Sequence, residues 1–78
     1  MKRKITAKRD LDLSLAKRIV DAAAKRASDI RLLSRDKSAN AKSLMGVVAL
    51  SFKKGSEIMI VTEGKDASAA TEELERIL

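Results

Sequence analysis

The sequence contains no histidine, cysteine, proline, tryptophan or tyrosine, and Phe52 is its only aromatic residue. Each absence removes a class of chemistry. Without cysteine there can be no disulfide, no thiolate zinc site and no thiol nucleophile. Without histidine the commonest transition-metal ligand and the usual general base near neutral pH are missing. No enzymatic activity, metal or cofactor is expected of this chain. The lack of aromatics leaves the interior to Ala, Val, Ile, Leu and Met, and removes the platforms on which unpaired bases stack. No apolar run is long enough to cross a bilayer. The basic start Met1-Lys2-Arg3-Lys4 leads into alternating charge rather than the apolar centre of a secretory leader. A cytoplasmic protein without a membrane role is expected.

What is present fits one small domain, residues 1–78, around one aliphatic core. Lysine and arginine number 17 against 11 acidic residues, a net charge of +6 that favours an acidic partner. The basic pairs Lys8-Arg9, Lys17-Arg18, Lys25-Arg26 and Lys53-Lys54 are spread over the whole chain. A nucleic-acid footprint is usually concentrated, so protein partners are expected, with a basic nucleic-acid-binding module as an alternative.

In Lys2-Arg3-Lys4-Ile5-Thr6-Ala7, alternation and β-branched residues predict a short edge strand with a lysine-guarded surface. From Leu15 the apolar residues Leu15, Ile19 and Ala23 recur every four positions, with Ala16, Val20 and Ala24 beside them. Lys17, Arg18, Asp21 and Lys25 fall opposite, which predicts an amphipathic helix. Asp12 is placed to cap it. Ser28 to Ser34 alternates as a strand with Ile30 and Leu32 inward; Arg35-Asp36-Lys37 is a turn into a short polar strand around Ala39 and Asn40. Leu44 to Leu50 suits a short helix capped by Ser43 and weakened by Gly46. Lys53-Lys54-Gly55 is a turn, Glu57 to Thr62 is the strongest strand in the chain, and Gly64 ends it. A last helix, capped by Asp66, puts Ala70, Leu74, Ile77 and Leu78 on one face. The order βαββαβα predicts an α+β sandwich, a four-stranded antiparallel sheet with three helices on one face.

That order and length resemble the HPr family of the sugar phosphotransferase system, and particular residues agree. Ala41-Lys42-Ser43-Leu44-Met45-Gly46 is similar to the serine-phosphorylation segment of Gram-positive HPr proteins and of their catabolite-repression paralogues. Gly55 and Glu63-Gly64-Lys65-Asp66 resemble the family further on. The resemblance runs almost end to end and implies the open-faced HPr fold. It fails in one segment. Family phosphocarriers have Gly-Leu-His-x-Arg-Pro-Ala before and into the first helix, where the histidine takes and passes on phosphate. Here the segment is Asp10-Leu11-Asp12-Leu13-Ser14-Leu15-Ala16. Asp12 stands at the histidine position, Ser14 at that of the arginine and Leu15 at that of the proline. The phosphoramidate of an imidazole is reactive enough to be handed on, and an arginine neutralises the phosphoryl oxygens. Both tools are missing, so no phosphocarrier activity is expected; an unconventional carrier using Asp12 or another acceptor is the competing reading.

What remains is regulatory. The resemblance implies that Ser43, besides capping a helix, is a target of an HPr kinase/phosphorylase, and that the chain works through protein binding in carbon catabolite control, with a LacI-type catabolite regulator as a further partner. Leu44, Met45 and Val48 would form a docking patch on the short helix, leaving Val47 and Leu50 to the core. Met59 and Val61, alternating with inward Ile58 and Ile60, form an outward pair suited to a homodimer contact.

Overall fold

Alternation decides the sheet. The computed structural model describes residues 1–78 and runs β1 (Lys2–Thr6), α1 (Leu13–Ala24), β2 (Asp29–Ser34), β3 (Lys37–Asn40), α2 (Leu44–Leu50), β4 (Glu57–Glu63) and α3 (Ala67–Ile77). β4, with the clearest period of two, takes a central place in the order β1-β4-β2-β3, and all three pairings are antiparallel. Its inward residues Ile58, Ile60 and Thr62 are buried, while Met59 and Val61 are half-buried on the other face. β1 lies at one edge, as its lysines predict. At the other edge, the β2–β3 hairpin turns through Arg35, whose φ of 58° is left-handed, as a two-residue hairpin requires.

The three helices cover the inward face. Leu15, Ala16, Ile19 and Ala23 of α1, Val47 and Leu50 of α2, and Ala70 and Leu74 of α3 join Ile30, Leu32, Ile58 and Ile60 in one cluster of 18 buried residues. Each large aliphatic side chain there contributes about 1.5–3 kcal/mol from its removal from water. Phe52 and Leu78 belong to the same cluster. α1 begins at Leu13, two residues before its apolar stripe, because the cap sets the start of a helix and the stripe sets only its facing. Buried polar side chains are paired: the Thr71 hydroxyl donates to the Ala67 carbonyl at 2.8 Å and lies 2.7 Å from the Thr62 hydroxyl. No helix is long and apolar enough to cross a membrane. The opposite face of the sheet is left without a covering layer.

Candidate functional site

Two loops meet where α1 begins. The Ala7 amide donates to the Ser56 carbonyl at 2.8 Å, and the Leu11 amide to that of Phe52 at 2.9 Å. In the other direction, Gly55 N–H donates to the Ala7 carbonyl and Lys54 N–H to the Asp10 carboxylate, at 2.9 and 2.7 Å. These bonds hold the β1–α1 loop, which carries Asp12, against the α2–β4 loop. Asp12 has extended backbone angles, and its carboxylate accepts the Leu15 amide at 2.7 Å. It joins none of the chain's four ion pairs. Ser14 is exposed on the first turn. The arrangement is that of a helix cap, with the carboxylate bound to the first turn and paired with no cation.

Leu11, Asp12 and Leu13 share a shallow hollow with Val48, Ser51 and Lys53. Leu13 is 55 % exposed and is not among the site residues the sequence singles out. Its signal was its phase, since it falls outside the apolar stripe that begins at Leu15 and therefore points outward.

α2 starts at Ser43, whose exposed side chain accepts the Gly46 amide at 3.2 Å. A side chain at position 46 would put its Cβ 3.2 Å from that hydroxyl and 3.5 Å from the Ala39 Cβ. Gly46 thus weakens the helix and clears space for the serine. Beside it, the Lys42 ammonium donates to the Arg26 carbonyl at 2.9 Å, joining the start of α2 to the end of α1. Met45 and Val48 are 83 % and 42 % exposed. Leu44 departs from the expected patch, being half-buried and packed on the core. As the first residue of α2 it sits three positions from buried Val47, on the same inward side of the helix.

Asp66 also departs from expectation. It precedes α3, but its side chain makes no bond to that helix. Instead its carboxylate accepts the amides of Ala27 and Ser28 at 3.1 and 3.0 Å, and the Ser28 hydroxyl as well. The Ser28 hydroxyl chiefly, aided by the two amides, holds the carboxyl below the usual carboxylate range against the opposing effect of partial burial. Arg26 completes the junction by donating to Glu73 from Nε and Nη2, at 3.0 and 2.7 Å.

On the uncovered face of the sheet, Met59 and Val61 are half-buried rather than fully outward. They share an open groove of about 590 Å³ with Leu33, Lys2, Lys4 and Arg35.

Comparison with known proteins agrees with this architecture. The family model described as "PTS HPr component phosphorylation site" matches residues 2–78. The phosphocarrier protein HPr of Mycoplasma capricolum is 34% identical over 74 residues, which is 95% of this chain and 83% of that protein. The crystal structure of HPr from Bacillus anthracis superposes with a TM-score of 0.94 at 34% identity, covering 100% of this chain and 95% of that one. The catabolite-repression protein Crh of Bacillus subtilis, described as a domain-swapped dimer, superposes at 0.80 with 32% identity, covering 94% and 84% of the two chains. HPr proteins are phosphocarriers rather than enzymes, and they act with protein partners of the phosphotransferase system. A sequence match over nearly the whole length, together with the shared βαββαβα sandwich, places this chain in the HPr family.

Proposed function

We propose that this chain is a regulatory member of the HPr family, acting by protein binding in carbon catabolite control and phosphorylated on Ser43. Its partners on this reading are an HPr kinase/phosphorylase and a LacI-type catabolite regulator. The observation that carries the proposal is the pairing of an exposed Ser43 hydroxyl with the exposed apolar side chains of Met45 and Val48 on the same helix. Leu13 extends that apolar surface on the other side of Val48. The carrier position supports the same reading, because Asp12 is engaged as a cap and the chain has no imidazole anywhere.

Transfer of the ATP γ-phosphoryl group to Ser43 Oγ, with ADP leaving and the hydroxyl proton released, adds about 1.5 to 2 negative charges beside that surface. The modified surface repels acidic partners and recruits ones that present arginine. Incubation with an HPr kinase and ATP should label the chain once, and Ser43→Ala should abolish the label. Enzyme I with phosphoenolpyruvate should leave it unlabelled. Labelling that survives Ser43→Ala, or stable phosphate on Asp12, would overturn the proposal.

A further inference from the structure

The uncovered face of the sheet has an ordered pattern of its own. The strand registers set Lys2 and Arg31 on either side of Val61, and Lys4 and Leu33 on either side of Met59. Leu33, Met59 and Val61 thus form an apolar floor whose border holds three cations, Lys2, Lys4 and Arg35, and one carboxylate, Glu57. Lys4 reaches Glu57 at 3.9 Å, but Lys2, Arg31 and Arg35 have no ion-pair partner in the chain. Arg31 flanks Val61 from β2 and lies in the adjoining hollow that also holds Asp29 and Glu63, which are opposite each other in register beyond the Val61 row.

We infer that this face is a second docking surface, which takes an amphipathic helix of another protein whose apolar side chains are bordered by carboxylates. The groove is open, so a small ligand would stay largely in water, whereas a well-bound one has most of its surface enclosed. At the centre of the sheet, β2 and β4 are each hydrogen-bonded to strands on both sides. An incoming segment above them must therefore satisfy its own backbone, as a helix does. The chain's own helices cover the other face of the same sheet in this way. Unpaired cations around an apolar centre select an acidic border on the partner. A second copy is disfavoured because it would bring the same cation-rich border rather than the acidic one these side chains select.

The surface is distinct from that of Ser43, and the test separates the two. The 15N-labelled full chain is titrated with a synthetic helical peptide carrying leucines at i, i+3, i+4 and i+7, flanked by glutamates. A second peptide has lysine in place of glutamate. The glutamate peptide should shift the amides of β1, β2 and β4, and the lysine peptide should not. Lys2→Glu/Arg31→Glu, both on exposed positions, should weaken binding about tenfold, while Lys17→Glu/Arg18→Glu, exposed on α1 across the opposite face of the sheet, should leave it unchanged. Circular dichroism melts show whether each variant is folded. Should Lys2→Glu/Arg31→Glu fail to fold, Lys2→Ala/Arg31→Ala tests the same contacts. Shifts confined to α1 and α2, shifts spread over every cationic segment, equal binding of the lysine peptide, or sedimentation as a dimer closed through this face would each overturn the inference.

Discussion

The Asp12 carboxylate accepts the Leu15 amide at 2.7 Å, and by the sequence resemblance the two residues are expected at the positions of the histidine and proline of HPr phosphocarriers. Proline has no amide to offer. A leucine at position 15 brings an N–H into the first turn, where no backbone acceptor is available, and Asp12 supplies one. On this geometry the acceptor at position 12 and the donor at position 15 act as a pair. Asp12→Ala should cost about 1 kcal/mol in the parent chain and almost nothing when Leu15→Pro has already removed the donor. Leu15→Pro is destabilising in itself, since Leu15 is buried, so the coupling is read from a double-mutant cycle in urea. Equal cost of Asp12→Ala in both backgrounds would show that its carboxylate acts elsewhere.

Asp66 supplies a dependence on pH. Folding holds its carboxyl below the usual range, chiefly through the Ser28 hydroxyl, so the native state favours the charged form. The unfolded chain takes up the proton near pH 4, roughly the ordinary aspartate value. The stabilisation is therefore fully present above that pH and is lost as the pH falls through the native pKa. Asp66→Asn should melt below the parent at neutral pH, with the gap narrowing in acid. A gap that stays constant down to the lowest pH at which both proteins fold would show that the charge is not what the Ser28 loop binds.

Much of this was legible in the sequence. The period-two pattern of Glu57–Thr62 and the four-residue period from Leu15 fix the inward faces, because each depends only on how side chains project from a strand or helix. Ser43 and Asp12 were readable as caps because the amides they accept lie within three residues. Asp66 was not, because Ala27 and Ser28 are 39 and 38 positions away in sequence and reach it only once β4 and the end of α1 are in place. Leu44 was misplaced because a helix this short has no periodicity to fix its phase. The groove on the open sheet face was half seen: the alternation exposed Met59 and Val61, but their cationic neighbours come from β1 and β2 through pairing registers no local pattern contains.

Gly64 lies at φ 141°, and a Cβ there would stand 2.7 Å from the Ser28 hydroxyl and 2.8 Å from the Ser28 Cα. The bare backbone at position 64 is what lets Ser28 approach Asp66. Gly64→Ala adds a strained dihedral angle and a clash with main chain, and should lower stability by at least about 2 kcal/mol. Since it also pushes Ser28 away, Asp66→Asn should lose most of its effect in that background. A loss under about 0.5 kcal/mol in urea unfolding, within the range of ordinary surface changes, would mean that the two loops part without cost.

The division within α2 is testable by separating stability from binding. Leu44 packs on the core, whereas Met45, its neighbour in sequence, is 83 % exposed. Truncating Leu44 removes part of an apolar contact that folding made, so Leu44→Ala should lower stability by about 1–2 kcal/mol, less than the full-burial range because the site is only half enclosed. Met45→Ala removes atoms already in water and replaces them with the best helix former, so its stability should stay within about 0.5 kcal/mol of the parent. Binding should show the opposite order. If Met45 and Val48 form the contact beside Ser43, Met45→Ala weakens the complex with an HPr kinase while leaving the melting curve in place. Leu44→Ala at a temperature where it remains folded binds nearly as well as the parent. Affinity measured by calorimetry alongside thermal unfolding distinguishes the two residues, and a kinase complex that ignores Met45→Ala would move the contact off this helix face.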